Sequence, residues 1–175
     1  KGRGKGAAFA DIDADGDYDL YVSNKGGANK LYRNDSTPGN LEFTDVTAQA
    51  GDNLGDVGYC MGSAFADVDN DGRPDLFIAK GGQREIEANR LLRNVSTPGQ
   101  IKFADISLEA GINTKDFTYQ GAFADYDNDG RLDLFMANYG VGVKNRLFHN
   151  DSVAGRVKFT EVSAQAGVGA PGWSW

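Results

Sequence analysis

The stretch Ala8-Phe-Ala-Asp-Ile-Asp-Ala-Asp-Gly-Asp-Tyr-Asp-Leu-Tyr-Val22 decides the reading of this chain. Residues 11–19 have the form Asp-x-Asp-x-Asp-Gly-x-x-Asp. In a tightly curled loop alternate side chains point to one side, so Asp11, Asp13 and Asp15 converge. Gly16 permits the sharp turn, Asp17 turns its backbone carbonyl inward, and Asp19 closes the far side with one oxygen or both. The product is an all-oxygen cage with excess negative charge, which suits calcium. No His or Cys stands near in sequence, which disfavours zinc and copper, and magnesium rarely receives a dedicated cage of this kind. The twelfth position is Val22 where an EF-hand requires Glu, and the flanks read as short strands. The expectation is a calcium loop inside a β-hairpin.

The motif recurs. Ala64-Phe-Ala opens a second copy with Asp67, Asp69, Asp71, Arg73 and Asp75, and Ala122-Phe-Ala opens a third with Asp125, Asp127, Asp129, Arg131 and Asp133. Downstream blocks recur too: Asn29-Lys-Leu, Asn89-Arg-Leu and Asn145-Arg-Leu, then Phe43-Thr-Asp, Phe103-Ala-Asp and Phe159-Thr-Glu, then an Ala-Gly closure at Gly51, Gly111 and Gly167. Self-similarity at this period marks a repeat architecture. In the first unit the spacing predicts strands over Gly6–Asp11, Asp19–Ser23, Lys30–Arg33 and Leu41–Val46, with a helical turn over Thr47–Ala50 that Thr47 resembles an N-cap for. Four short strands per repeat are what a propeller blade needs. The fold expected is all-β, a single β-propeller portion over 1–175, with blades at about 6–60, 61–119 and 120–175. Three blades are too few to close a ring of 4–8, so the chain reads as part of a longer propeller chain or of a homo-oligomer. Lys1–Gly6 has no apolar run behind it, so no signal peptide is expected there, and the chain reads as a processed form or a piece of something longer.

Thirteen of the 25 acidic residues fall in the three loops, and three Ca2+ per chain would bring the formal charge from −7 to −1. Asp and Gly also make ordinary turns, but four carboxylates within nine residues repel one another unless a cation joins them. The acidic balance disfavours nucleic acid and anionic membranes as partners, and no apolar run approaches a membrane span.

With Phe-Ala-Asp-x-Asp-x-Asp-Gly-x-x-Asp-Leu, Asn-[Lys/Arg]-Leu-x-x-Asn and Phe-x-[Asp/Glu]-[Val/Ile] in hand, the chain resembles FG-GAP/VCBS repeats, the blade units of integrin-like calcium-binding β-propellers, and looks closest to their bacterial ASPIC/UnbV-type branch. The resemblance covers nearly the whole chain. It implies that positions 1, 3, 5 and 9 of each loop ligate through side chains and position 7 through its carbonyl, in an extracellular, periplasmic or cell-surface setting. This chain departs from the pattern in two respects. It has three repeats against seven integrin blades, and Ser36–Phe43 replaces the Gly-Asp-Gly-x-Phe block usual in that branch.

Other candidates carry less. Asn34, Asn94 and Asn150 head glycosylation sequons but read better as turn-capping residues. Cys60, the one cysteine, reads as a small buried residue in an apolar stretch. His149, the one histidine, takes the place of Arg33 and Arg93, which does not fit a catalytic base. Trp173 and Trp175 read as core of a following blade, or as a sugar-stacking pair. The function expected is a non-catalytic module binding a protein or glycan ligand, with structural calcium in each blade. A carbohydrate-binding, lectin-like propeller is the alternative, and an ancillary part of a polysaccharide-degrading enzyme stands behind that.

Overall fold

A computed structural model describes residues 3–51, 53–81, 87–97, 99–140 and 142–169. Trp173, Trp175 and most of the turn at 82–87 lie outside the described residues. Each unit forms four antiparallel strands. The first holds β1 (Arg3–Ala10), β2 (Asp19–Ala28), β3 (Lys30–Asn34) and β4 (Phe43–Asp45). The second holds β5 (Val57–Ala66), β6 (Asp75–Lys80), β7 (Arg90–Asn94) and β8 (Phe103–Asp105), and the third β9 (Thr118–Ala124), β10 (Asp133–Asn138), β11 (Arg146–Asn150) and β12 (Phe159–Glu161). Within each unit neighbours in sequence pair in register, as in Leu76 with Phe65 on one side and with Leu92 on the other. These are propeller blades. The end of β2 continues past its own blade and pairs Lys25–Ala28 with Val57–Tyr59 of β5, which joins the first two blades edge to edge.

In the first blade β1, β2 and β3 are one to five residues longer than expected from sequence, and β4 shrinks to three residues. A helical turn follows each fourth strand, but only Ser107–Ala110 of the second unit closes into a helix, α1. Thr47 does not cap its turn. Its hydroxyl accepts the Leu31 N–H at 2.9 Å and donates to Asp45 Oδ1 at 2.6 Å, pinning the turn to β3. Ser107 repeats both contacts with Leu91 and Asp105.

Two apolar seams hold the blades together. Ile12, Tyr21 and Leu31 of the first blade meet Leu76, Ile78 and Leu92 of the second, and Phe77, Ala79 and Leu91 of the second meet Leu134, Met136 and Phe148 of the third. Successive residues of β6 thus face opposite seams, as period-two geometry requires, and all six are buried. The inner strands press together where Gly6 faces Gly62. A Cβ on Gly62 would stand 2.5 Å from the Tyr119 carbonyl oxygen, so this approach excludes a side chain. Cys60 is buried as expected, but its surroundings are polar: Asn29 Nδ2 lies 3.1 Å away and the buried Lys80 Nζ 3.5 Å. Lys80 in turn pairs with Asp56 at 2.6 Å and Glu87 at 2.9 Å.

Candidate metal centre

Each acidic loop joins the first two strands of its blade and folds around its own first aspartate. Asp11 accepts the N–H groups of Asp15 at 3.2 Å and Gly16 at 3.0 Å. Asp67 does the same with Asp71 and Gly72, and Asp125 with Asp129 and Gly130. The fifth-position carboxylate accepts the seventh N–H, at 3.1 Å in the first loop. The glycines at position 6 have φ of 99°, 86° and 86°, the left-handed region that the sharp turn demands. Position 4, two residues before each glycine, bends likewise. Ala14, Asn70 and Asn128 have φ of 63°, 56° and 62°, which Asn tolerates better than Ala.

This folding gathers the carboxylates. Ligand atoms of Asp11, Asp13 and Asp15, of Asp67, Asp69 and Asp71, and of Asp125, Asp127 and Asp133 lie within 4.8 Å of one another in each set. Position 9 joins the set only in the third loop. Both oxygens of Asp19 already accept backbone N–H groups, from Ile12 at 2.9 Å and Asn34 at 2.8 Å, and Asp75 and Asp133 repeat the pattern. An ionised carboxylate has further lone pairs, so this fixes the side chain without consuming its capacity to ligate. At position 7 the side chains point elsewhere. Arg73 and Arg131 each pair with the fifth aspartate, Asp71 or Asp129, and donate to the carbonyl of Asn94 or Asn150. Asp17 has no such partner, so the first loop carries a fifth carboxylate.

The acids strain against one another. Burial and the charges of Asp15 and Asp11 push Asp13 above the usual carboxylate range, and burial and the charge of Asp71 do so for Asp69. Burial raises Asp19 to about 6 and Asp75 to about 7, against the lowering effect of their N–H partners. Among the described residues Asp13 Oδ1, Asp17 Oδ1 and Asp69 Oδ1 are buried with no hydrogen-bond partner. An orphaned buried oxygen costs about 1–3 kcal/mol, more when charged, unless a cation meets it. The donor set, carboxylates with no thiol, fits calcium.

In the second and third blades a side chain of the third strand also reaches the loop, which the sequence reading did not foresee. Arg93 places a guanidinium nitrogen 2.6 Å from Asp69, while Arg33 pairs with Asp35 at 2.7 Å. His149 stands 3.2 Å from Asp127 and 3.4 Å from Asp129, so the expectation that no histidine lies near the loops fails for the third. Burial works against its charge, yet Asp151 and the loop aspartates hold its pKa above the ordinary value. The shared register with Arg33 and Arg93 was the available signal. The sequon asparagines cap their turns, the Oδ1 atoms of Asn34, Asn94 and Asn150 accepting the N–H groups of Ser36, Ser96 and Ser152. Asn94 and Asn150 are fully buried and donate to the carbonyls of Ile12 and Val68 in the preceding blade, each at 2.9 Å.

Known proteins are similar to this chain in sequence. Cartilage acidic protein 1 of Homo sapiens is 29% identical over 141 residues, covering 77% of this chain and 20% of its own length. The Xenopus tropicalis protein of the same name is 30% identical over 146 residues, covering 77% and 21%. The chain therefore spans about a fifth of the length of these relatives. Residues 7–78, which hold most of the first blade and the first two acidic loops, match the FG-GAP-like repeat family. The similarity to FG-GAP-like repeats is thus carried by residues 7–78 of the chain.

Proposed function

We propose that this chain is a calcium-stabilised, non-catalytic interaction module in which each acidic loop holds one Ca2+, three per chain, through its first, third, fifth and ninth side chains and its seventh carbonyl. The observation that carries the reading is Asp69. Its side chain is 3% exposed and sits beside Asp67 and Asp71, and although Arg93 meets its Oδ2 at 2.6 Å, its Oδ1 has no donor. A divalent cation bound there offsets both the repulsion and the lost hydration. The ion is structural: it fixes the hairpin between the first two strands of each blade, and partners meet the blade faces or edge loops.

The ligand in this reading is a protein or a glycan. An extracellular or cell-surface setting is proposed on the calcium chemistry, together with relatives named for cartilage. The flanking blades come from a longer propeller chain or a second copy, and the ASPIC/UnbV-type likeness remains part of this proposal. The non-catalytic reading draws support from the commitment of half the acids to the loops.

Thermal unfolding in calcium against a chelator tests it. A site filled at about a hundred times its Kd adds about 2.7 kcal/mol, or roughly 5–10 °C for a chain of this size. Asp69→Ala should lose its share of that gain while melting no lower than wild type in chelator. Equal melting of wild type with and without calcium would refute the reading.

A further inference from the structure

We propose that the third loop has a metal preference of its own: Asp127, Asp129 and His149 form a three-ligand site for a divalent transition-metal ion of the zinc type, which the first two loops lack. His149 Nε2 lies 3.2 Å from Asp127 Oδ2 and 3.4 Å from Asp129 Oδ2. Those two separations match tetrahedral edges around a centre about 2.0–2.1 Å from each atom, the length of zinc bonds to imidazole nitrogen and carboxylate oxygen, and the three ligand atoms lie within 4.8 Å of one another. The three ligands leave a fourth position open to water.

A residue outside the loop orients the ring. His149 Nδ1 is 2.8 Å from Asp151 Oδ1. With the Nδ1 proton donated to Asp151, the Nε2 lone pair faces the loop, the carboxylate–histidine arrangement that metal-bound imidazoles generally have. Tyr126 packs edge-on against the ring at 6.2 Å between centroids.

Comparison among the units isolates what is new. The same register holds Arg33 and Arg93, and a guanidinium brings a fixed positive charge with no lone pair to give. Arg93 already supplies the second loop with a counter-charge at Asp69. In the third loop an imidazole replaces it, and a built-in cation becomes a nitrogen ligand. Arg131 also meets Asp129 Oδ2, so the ion must share or displace that contact. The equivalents of Asp127 in the first two loops are Asp13 and Asp69, each with a buried Oδ1 that lacks a donor, whereas the Asp127 side chain is 37% exposed and open to an ion from solvent. Mixed nitrogen and oxygen donors favour the later first-row ions, so affinity should rise from Mn2+ to Co2+ and Zn2+. The inference rests on the reading of the loops as cation cages and adds that in the third loop a zinc-type ion competes with calcium for Asp127 and Asp129.

His149 is the only histidine, so its imidazole proton resonances report on the site without ambiguity. The experiment titrates the metal-stripped 175-residue chain with Zn2+ and follows those resonances, with calorimetry for stoichiometry. It is repeated in His149→Arg, which installs the residue of the other units, and in His149→Gln. The proposal requires one Zn2+ per chain that moves the resonances and is lost in both variants, with Asp151→Asn weakening it by about 10–100-fold. Calcium uptake by the first two loops should be unchanged in His149→Arg, which also shows that the variant is folded. Zn2+ binding that leaves the resonances still, or that survives both substitutions, overturns the proposal. If calcium binds nowhere while the His149 response persists, the calcium reading fails and this one stands.

Discussion

Asp75 holds the tension of the site in one side chain. It is 1% exposed, accepts two backbone N–H groups, and is still raised to about 7 by burial. Asp19, raised to about 6, behaves alike. Both folded values lie above the ordinary aspartate value of 3.8, so between roughly pH 4 and 7 the metal-free fold binds more protons than the unfolded chain. Stability then falls as pH rises through that window. Metal-stripped protein should therefore melt higher at pH 5.5 than at pH 7.5, and saturating calcium, which holds the carboxylates ionised, should abolish or reverse the difference. Higher melting at pH 7.5 without metal would contradict the assignment. Ala14 carries a different cost. Its φ of 63° is left-handed, where its counterparts are Asn70 and Asn128. Ala14→Asn should stabilise the protein by about 1 kcal/mol in urea unfolding, since αL costs a non-glycine residue roughly 1–2 kcal/mol. The aspartate register was legible because alternate residues of one curled loop share a side. His149 was not, because it lies on another strand and reaches the loop only through the pairing of β10 with β11.

At the scale of elements, strand count and order followed from the repeated blocks, while strand lengths did not, because pairing partners set them. β2 extends to Ala28 because β5 is there to pair with its end, a contact that no residue of β2 announces. Thr47 resembled an N-cap from local sequence and instead ties its turn to β3. The close approach at Gly62 is equally silent in sequence, since a glycine in a strand also reads as a turn or a bulge. It gives a sharp test. Gly62→Ala places a methyl against the Tyr119 carbonyl and the Gln120 side chain and must force the inner strands of the second and third blades apart. Overpacking of this kind costs about 1–3 kcal/mol, read as a lower urea midpoint. Gly4→Ala, whose Cβ meets only Asn24 Oδ1 at 3.9 Å, should be milder. Equal effects would mean that the blades do not meet as described.

Across the whole molecule burial follows position in the array. The central strand β6 is buried on both faces, whereas β2 alternates between buried and half-buried residues because only one of its faces meets another blade. Phe9 is 60% exposed, while its counterparts Phe65 and Phe123 pack against the seams. The outer flanks thus present the same kind of surface that the inner seams bury, which is the physical ground for placing further blades beside them. Three acidic loops ride on this array at one register, and the central claim is that each holds calcium. Calorimetric titration of metal-stripped protein with Ca2+ tests that most directly. The account predicts about three sites per chain, with one lost in each of Asp13→Ala, Asp69→Ala and Asp127→Ala. No heat of binding and no change in melting temperature would contradict it, leaving twelve regularly placed carboxylates as turns without an ion.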